Sequence, residues 1–230
     1  MREICLDTET TGLDPKDGHR IIEIACVELI DKIKSGRVFH TYINPRREVP
    51  REATEIHGIT TDFLKDKPIF DHISQKFLDF IGDAKLVIHN AAFDIKFLNY
   101  ELKILGLNPI KNEVADSLLI ARSKFPGSPA SLDALCKRFN IDLSKRTKHG
   151  ALLDTELLCD VYVELMGGLQ VGFGFDAKKI EKTVEKIIHN EVRVETKQSL
   201  PAREFPISEA EKELHQKFIL ENFKNNLWGY

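Results

Sequence analysis

Asp7 and Glu9 close the first apolar run of the chain one residue apart, and the twofold period of a strand points both side chains to the same side. Two carboxylates so placed repel each other unless a cation lies between them. On its own an Asp-x-Glu triplet also suits a solvent-facing strand edge, and so short a pattern recurs by accident. Asp94 stands at the end of His89-Asn90-Ala91-Ala92-Phe93-Asp94, at the start of a helix that directly follows a strongly apolar strand. There it could hold a ligand, or serve only as the negative charge favoured in a first helical turn. Asp154 has a companion, His149, five residues earlier. That spacing does not share a helical face, so the histidine belongs on the loop before a helix and Asp154 on its first turns. Carboxylates suit hard divalent cations bound through oxygen, and an imidazole titrating near neutrality suits proton transfer.

These residues need a frame. The opening of the chain reads as three strands joined by short turns, Glu3 to Asp7, Arg20 to Leu29 and Arg37 to Ile43, with breaks expected at Gly12 to Gly18 and at Lys34 to Gly36. Neighbouring strands with short links pair antiparallel. Helical spacing takes over at Phe70 to Ile81, where Phe70, Ile73, Phe77, Leu78 and Ile81 fall on one face. A buried strand at Lys85 to His89, a helix at Ala91 to Leu105, a short strand at Val114 to Asp116 and helices at Ser131 to Phe139 and Gly150 to Met166 complete the pattern. A meander followed by alternating strands and helices predicts an α/β domain with a mixed sheet and flanking helices.

The 230 residues, 42% of them hydrophobic, allow one substantial core and an appendage. No run of eighteen apolar residues and no signal segment precedes the first strand, so a soluble, cytoplasmic protein is expected. Cys5, Cys26, Cys136 and Cys159 are scattered without a Cys-x-x-Cys pair, which reads as reduced core thiols and argues against zinc. A net charge of −3 does not advertise nucleic-acid binding, yet several metal-holding carboxylates would account for local negative charge. After Met166 the composition shifts: Gly167, Gly168, Gly172 and Gly174 lie close together. From 178 to 230 ten Lys or Arg face nine Glu. Residues 208–230 differ again, because Leu214, Phe218, Ile219, Leu220, Phe223, Leu227, Trp228 and Tyr230 give them an apolar face that needs a partner. The expected division is 1–168, 169–207 and 208–230.

Asp7-Thr8-Glu9-Thr10-Thr11-Gly12, His89 to Asp94, and His149-Gly150-Ala151-Leu152-Leu153-Asp154 together resemble, in order, the three motifs of the DEDDh exonucleases of the DnaQ-like superfamily. Histidine ahead of the last acid, where another branch has tyrosine, marks the h branch. Within it, Ala53 to Ile59, the sequence after His149 and the Trp-bearing tail are similar to the epsilon proofreading subunits of bacterial DNA polymerase III. The resemblance implies a ribonuclease H-like fold and 3′–5′ hydrolysis of a nucleic acid strand. It also implies two Mg²⁺ or Mn²⁺ ions held by Asp7, Glu9, Asp94 and Asp154, with His149 as general base. Thr10, Thr11, His57, Asn90 and Phe93 would grip the terminal nucleotide, although packing alone would also explain His57 and Phe93. The tail would anchor on the polymerase alpha subunit. Gln170, Phe173 and Phe175 resemble a sliding-clamp peptide, and a Gly-rich connector explains them equally. The alternatives are a stand-alone exonuclease or oligoribonuclease acting on RNA or single-stranded DNA, and a non-enzymatic scaffold, which the intact catalytic positions disfavour.

Overall fold

In the computed structural model the described residues are 1–144, 146, 148–168 and 208–222. A five-stranded mixed sheet has the order β3-β2-β1-β4-β5, with β1 Arg2–Thr10, β2 Ile21–Ile30, β3 Ile33–Tyr42, β4 Lys85–Ile88 and β5 Val114–Asp116. The first three strands pair antiparallel, whereas β4 runs parallel to both β1 and β5. The helices are α1 Arg51–His57, α2 Thr61–Leu64, α3 Phe70–Ile81, α4 Ala91–Ile104, α5 Ser117–Lys124, α6 Leu132–Arg138, α7 Ala151–Leu165 and, after the undescribed stretch, α8 Glu209–Asn222. A 3-10 turn covers Pro15–Asp17.

Alternation along β1 sorts its side chains onto two faces. Ile4 and Leu6 join Phe70, Ile73 and Phe77 of α3 and Phe97, Leu98 and Leu102 of α4 in the larger core. Cys5 points the other way, onto Leu158, Cys159 and Tyr162 of α7. The sheet is thus covered on both faces, and α5 and α6 pack behind α7 through Ala121, Leu135, Cys136 and Val161. Short α1 and α2 close one end over Ile22 through Val49, Ile59 and Leu64.

The turn between β2 and β3 lies earlier than expected. Asp31 and Lys32 form it with φ of 50° and 70°, and Lys34 to Gly36 continue inside β3. Left-handed backbone at both central residues matches the twist of a two-residue hairpin, and an aspartate tolerates it better than most side chains. The break read at Lys34 to Gly36 is therefore corrected. Helices α1, α2 and α5 are additions to the sequence reading. The four cysteines are free and buried, and among the described residues no helix is long and apolar enough to cross a membrane. Contacts divide the chain into Met1–Gly174 and Phe175–Tyr230. In the second unit α8 exposes Leu214 and Leu220 and buries Ile219. Gln170, Phe173 and Phe175, together with Phe223, Leu227, Trp228 and Tyr230, lie outside the described residues.

Candidate active site

β1 leaves the core at a register shift between Glu9 and Thr10, a bulge that re-aims the side chains at the strand's end. Asp7 and Glu9 are delivered there. Beside them β4 ends and the chain enters α4 through Asn90, held in the left-handed region at φ 66°. That conformation is sustained from below: Asp116 accepts hydrogen bonds from the amides of Asn90 (3.2 Å) and Ala91 (3.0 Å), and also from Leu118 at the start of α5 (2.9 Å). One turn into α4, buried Asp94 faces β1, where its Oδ1 accepts from the amide of Thr8 at 3.0 Å and from its hydroxyl at 2.7 Å.

Helix α7 brings Asp154. Its entry is fixed by Glu23 of β2, which accepts from the Ala151 amide at 3.1 Å and is held on its other oxygen by His40 Nε2 at 2.7 Å. A carboxylate on a helix's first free amide satisfies an orphan donor and the positive end of the dipole together. His149 lies on the loop as expected, with its Nδ1 3.2 Å from Asp154 Oδ2 and its amide bonded to the carbonyl of Ile56. One ligand atom each from Glu9, His149 and Asp154 lies within 4.8 Å of the others.

The electrostatics follow from this crowding. Burial pushes Asp7 well above the usual carboxylate range, and Asp94, Glu9, Asp154 and Glu23 push it further. Glu9, directly opposite Glu23 across the strand pair, is raised to about 8 by burial and then by Glu23, Asp154 and Asp94. Burial lifts Asp94 to about 7, although the bonds from Thr8 oppose the rise. A dication among these oxygens would offset the mutual repulsion that adds to burial at Asp7 and Glu9. The donor set, carboxylate oxygens with one imidazole, therefore fits a hard divalent ion.

Two openings adjoin the cluster. One, about 260 Å³, is lined by Asp7, His89, Asp133, Arg146, His149 and Asp154. The other, about 550 Å³, shares Glu9 with the cluster and includes Thr8, Thr10, Thr11, His57 and Phe93. Phe93 packs on Phe97 with ring centroids 5.1 Å apart while lining the second opening. His57 Nδ1 accepts from the Ile59 amide at 3.0 Å, and its buried Nε2 has no hydrogen-bond partner among the described residues. Thr11 lines the second opening too; its amide bonds to the carbonyl of Arg20 at 2.9 Å and its hydroxyl accepts from the Arg20 amide at 3.0 Å. It shapes the wall and has no backbone donor to spare. Asn90, the αL entry to α4, lines neither opening.

Glu23, His19 and Arg146 escaped the sequence reading. Glu23 could have been suspected as one of two acids, with Glu28, inside a largely apolar strand. His19 and Gly12 make a close fit, since a Cβ on Gly12 would meet the His19 ring at 2.3 Å. Arg146, on the loop before His149, clasps Asp154 through Nε at 2.6 Å and Nη2 at 2.7 Å.

Comparison with known proteins agrees with this geometry. A family model described as Exonuclease matches residues 4–162. The DNA polymerase III subunit epsilon of Rickettsia felis is 54% identical over 205 residues, covering 86% of this chain and 88% of that protein. Its Escherichia coli counterpart is 45% identical over 205 residues, covering 85% and 84%. Among solved structures, exonuclease X in complex with 5′ overhanging duplex DNA superposes with a TM-score of 0.58 at 26% identity, over 76% of this chain and 95% of the other. The nuclease domain of 3′hExo, a DEDDh family member bound to rAMP, gives a TM-score of 0.61 at 21% identity over 72% and 91%, which speaks for the fold. Exonucleases of this family depend on divalent metal. The chain belongs to the exonuclease family and, within it, to the group formed by the bacterial DNA polymerase III epsilon subunits.

Proposed function

We propose that this protein is the 3′–5′ proofreading exonuclease of a bacterial replicative polymerase III, working in the cytoplasm on the 3′ end of a DNA strand. The observation that carries the reading is the meeting of Asp7 and Glu9 from β1, Asp94 from α4 and Asp154 from α7 at one place, with His149 beside Asp154. In this reading the four carboxylates hold two divalent ions, Mg²⁺ or Mn²⁺, which when bound favour ionisation of the attacking water and neutralise the leaving oxygen. His149, half-exposed on its loop, takes the water's proton. Thr8 keeps Asp94 aimed through its two hydrogen bonds. Glu23 keeps α7, and so Asp154, seated on the sheet.

The terminal nucleotide enters the 550 Å³ opening, with the Phe93 ring available for stacking and His57 in its wall. Thr10 contributes wall and backbone on the same side, and Asn90 acts through the turn into α4. In this reading the scissile phosphate reaches the site only after terminal bases leave the duplex, so a mismatch accelerates cleavage by fraying the end. The tail binds the polymerase alpha subunit through its apolar segment, and Gln170, Phe173 and Phe175 serve the sliding clamp, the two contacts acting jointly through effective concentration. Digestion of single-stranded, 3′-mismatched and fully paired DNA tests the reading. The expected order of rates is single-stranded, then mismatched, then paired, together with co-purification of a polymerase subunit. Equal rates on paired and mismatched ends would refute proofreading by fraying.

A further inference from the structure

Arg146 is the cation already inside the carboxylate cluster. Its side chain is 9% exposed and makes a two-point clasp on Asp154, whose own side chain is 7% exposed. Nε binds Oδ1 and Nη2 binds Oδ2, so both oxygens of this carboxylate are engaged. The same Nη2 lies 2.8 Å from His149 Nδ1, and Nη1 reaches Asp133 of α6 at 2.5 Å. The backbone places the residue for this, since its amide bonds to the carbonyl of Leu143 and turns the loop back over α7.

The clasp uses the atoms that a divalent ion needs. Asp154 is a ligand in the proposed site, and one atom each from Asp154, Glu9 and His149 lies within 4.8 Å of the others. A guanidinium and a dication cannot share them without strong repulsion at such range. Planar two-point pairing of Arg with carboxylate is also a strong form of ion pair, so entry of the ion has a real competitor. Asp133, 52% exposed, holds the outer end of the guanidinium at the rim and offers it a partner once Asp154 is given up.

We propose that Arg146 is a latch on the metal site: without metal its guanidinium clasps Asp154 and covers His149 Nδ1, and metal entry expels it. The inference rests on Asp154 being a metal ligand. Since latch and ion exclude one another, each must weaken the other by the same factor. Arg146 thereby stabilises the metal-free enzyme, ties up the proposed base until an ion arrives, and makes metal binding the step that assembles the site. Arg146 is a positioning residue in this account, and its effect appears in binding and melting before it appears in turnover.

The test is Mn²⁺ titration by calorimetry and thermal unfolding in EDTA and in saturating Mn²⁺, on the full chain as wild type, Arg146→Gln, Arg146→Lys and Asp154→Asn. Arg146→Gln should bind Mn²⁺ about tenfold more tightly, within the usual range of coupling between sites. It should melt below wild type in EDTA yet alongside it in Mn²⁺. Arg146→Lys, which keeps the charge and loses the planar fork, should fall between the two, and it carries the test should the glutamine variant fail to fold without metal. Unchanged or weaker Mn²⁺ binding in the arginine variants, or equal loss of melting temperature with and without metal, overturns the latch and leaves Arg146 a structural ion pair. Should Asp154→Asn bind Mn²⁺ as wild type does, the metal-site reading fails and the latch fails with it.

Discussion

Replacing Glu9 with Gln should stabilise the metal-free protein at alkaline pH while removing its activity. Glu9 titrates at about 8 in the fold against 4.5 in a free chain, because it is buried opposite Glu23 and near Asp154 and Asp94. Between those two values the folded state keeps a proton that the unfolded chain has released. Stability therefore falls as pH rises through the window and is flat above it. At about 1.36 kcal/mol per pKa unit the full shift corresponds to roughly 4–5 kcal/mol. Partial solvent access and local relaxation reduce that to about 2 kcal/mol as a working figure. For a chain of this size such a change moves the melting temperature by about 4–8 °C.

The amide of glutamine keeps the shape of the protonated acid and never pays the ionisation cost. Thermal unfolding followed by circular dichroism in EDTA should show the variant melting several degrees above wild type near pH 9, and close to it near pH 5, where the wild-type carboxyl is still protonated in the fold. Saturating Mn²⁺ should reverse the order, since only the wild type presents the complete ligand set. A variant that melts at or below wild type at the higher pH in EDTA, or a difference equal at both pH values, would refute the repulsion argument.

Asp94→Ala should lose hydrolysis while the fold survives, and near-native turnover with Mg²⁺ would sink the four-carboxylate assignment. His149→Ala should be slow, retain metal and DNA binding, and lose the acidic limb of the pH–rate profile; an unchanged profile assigns the proton to another group. Thr8→Val removes the hydroxyl hydrogen bond to the buried Asp94 carboxylate and keeps the amide one, and should cost about 1–3 kcal/mol in urea unfolding, less in Mn²⁺ than in EDTA; equal cost in both would show that Thr8 does not serve Asp94 as a ligand. A chain ending after Gly168 should degrade single-stranded DNA normally and no longer co-elute with the polymerase subunit, and retained co-elution would move the anchor into the first unit.

Much of this was legible beforehand because the chemistry sits where strong patterns change. Helix α3 was readable to both ends because its apolar residues repeat at helical spacing on one face. The apolar β4 with its flanking polar motif likewise located Asp94. Harder to read were elements whose cause is tertiary. Helices α1, α2 and α5 have four to eight residues, too few for a period to declare itself, and they are held by capping and by contact with β2 or α7. Lys34 to Gly36 carried turn chemistry, yet the hairpin closed at Asp31 and Lys32 because the strand register placed them there. Arg146 and Glu23 escaped for the same reason: a charged residue on a loop or in a strand declares its role only once a partner from another element stands opposite.

Beside Asp7, the interface between the sheet and α7 includes four slender side chains. Cys5 and Ala25 meet Thr155 and Cys159, all four without solvent exposure, and the Thr155 hydroxyl bonds to its own helix at Ala151 and reaches the carbonyl of Ala25 at 3.4 Å. Ala25 is the strand neighbour of Asp7, and Thr155 follows Asp154. The gap between two acids, Asp7 and Asp154, that come from different layers is therefore gauged by methyl, hydroxyl and thiol groups, much as a shim sets the clearance between machined plates. Tightly packed interiors transmit added volume as displacement. An Ala25→Val change there should therefore shift Asp7 against Asp154 without touching either carboxylate.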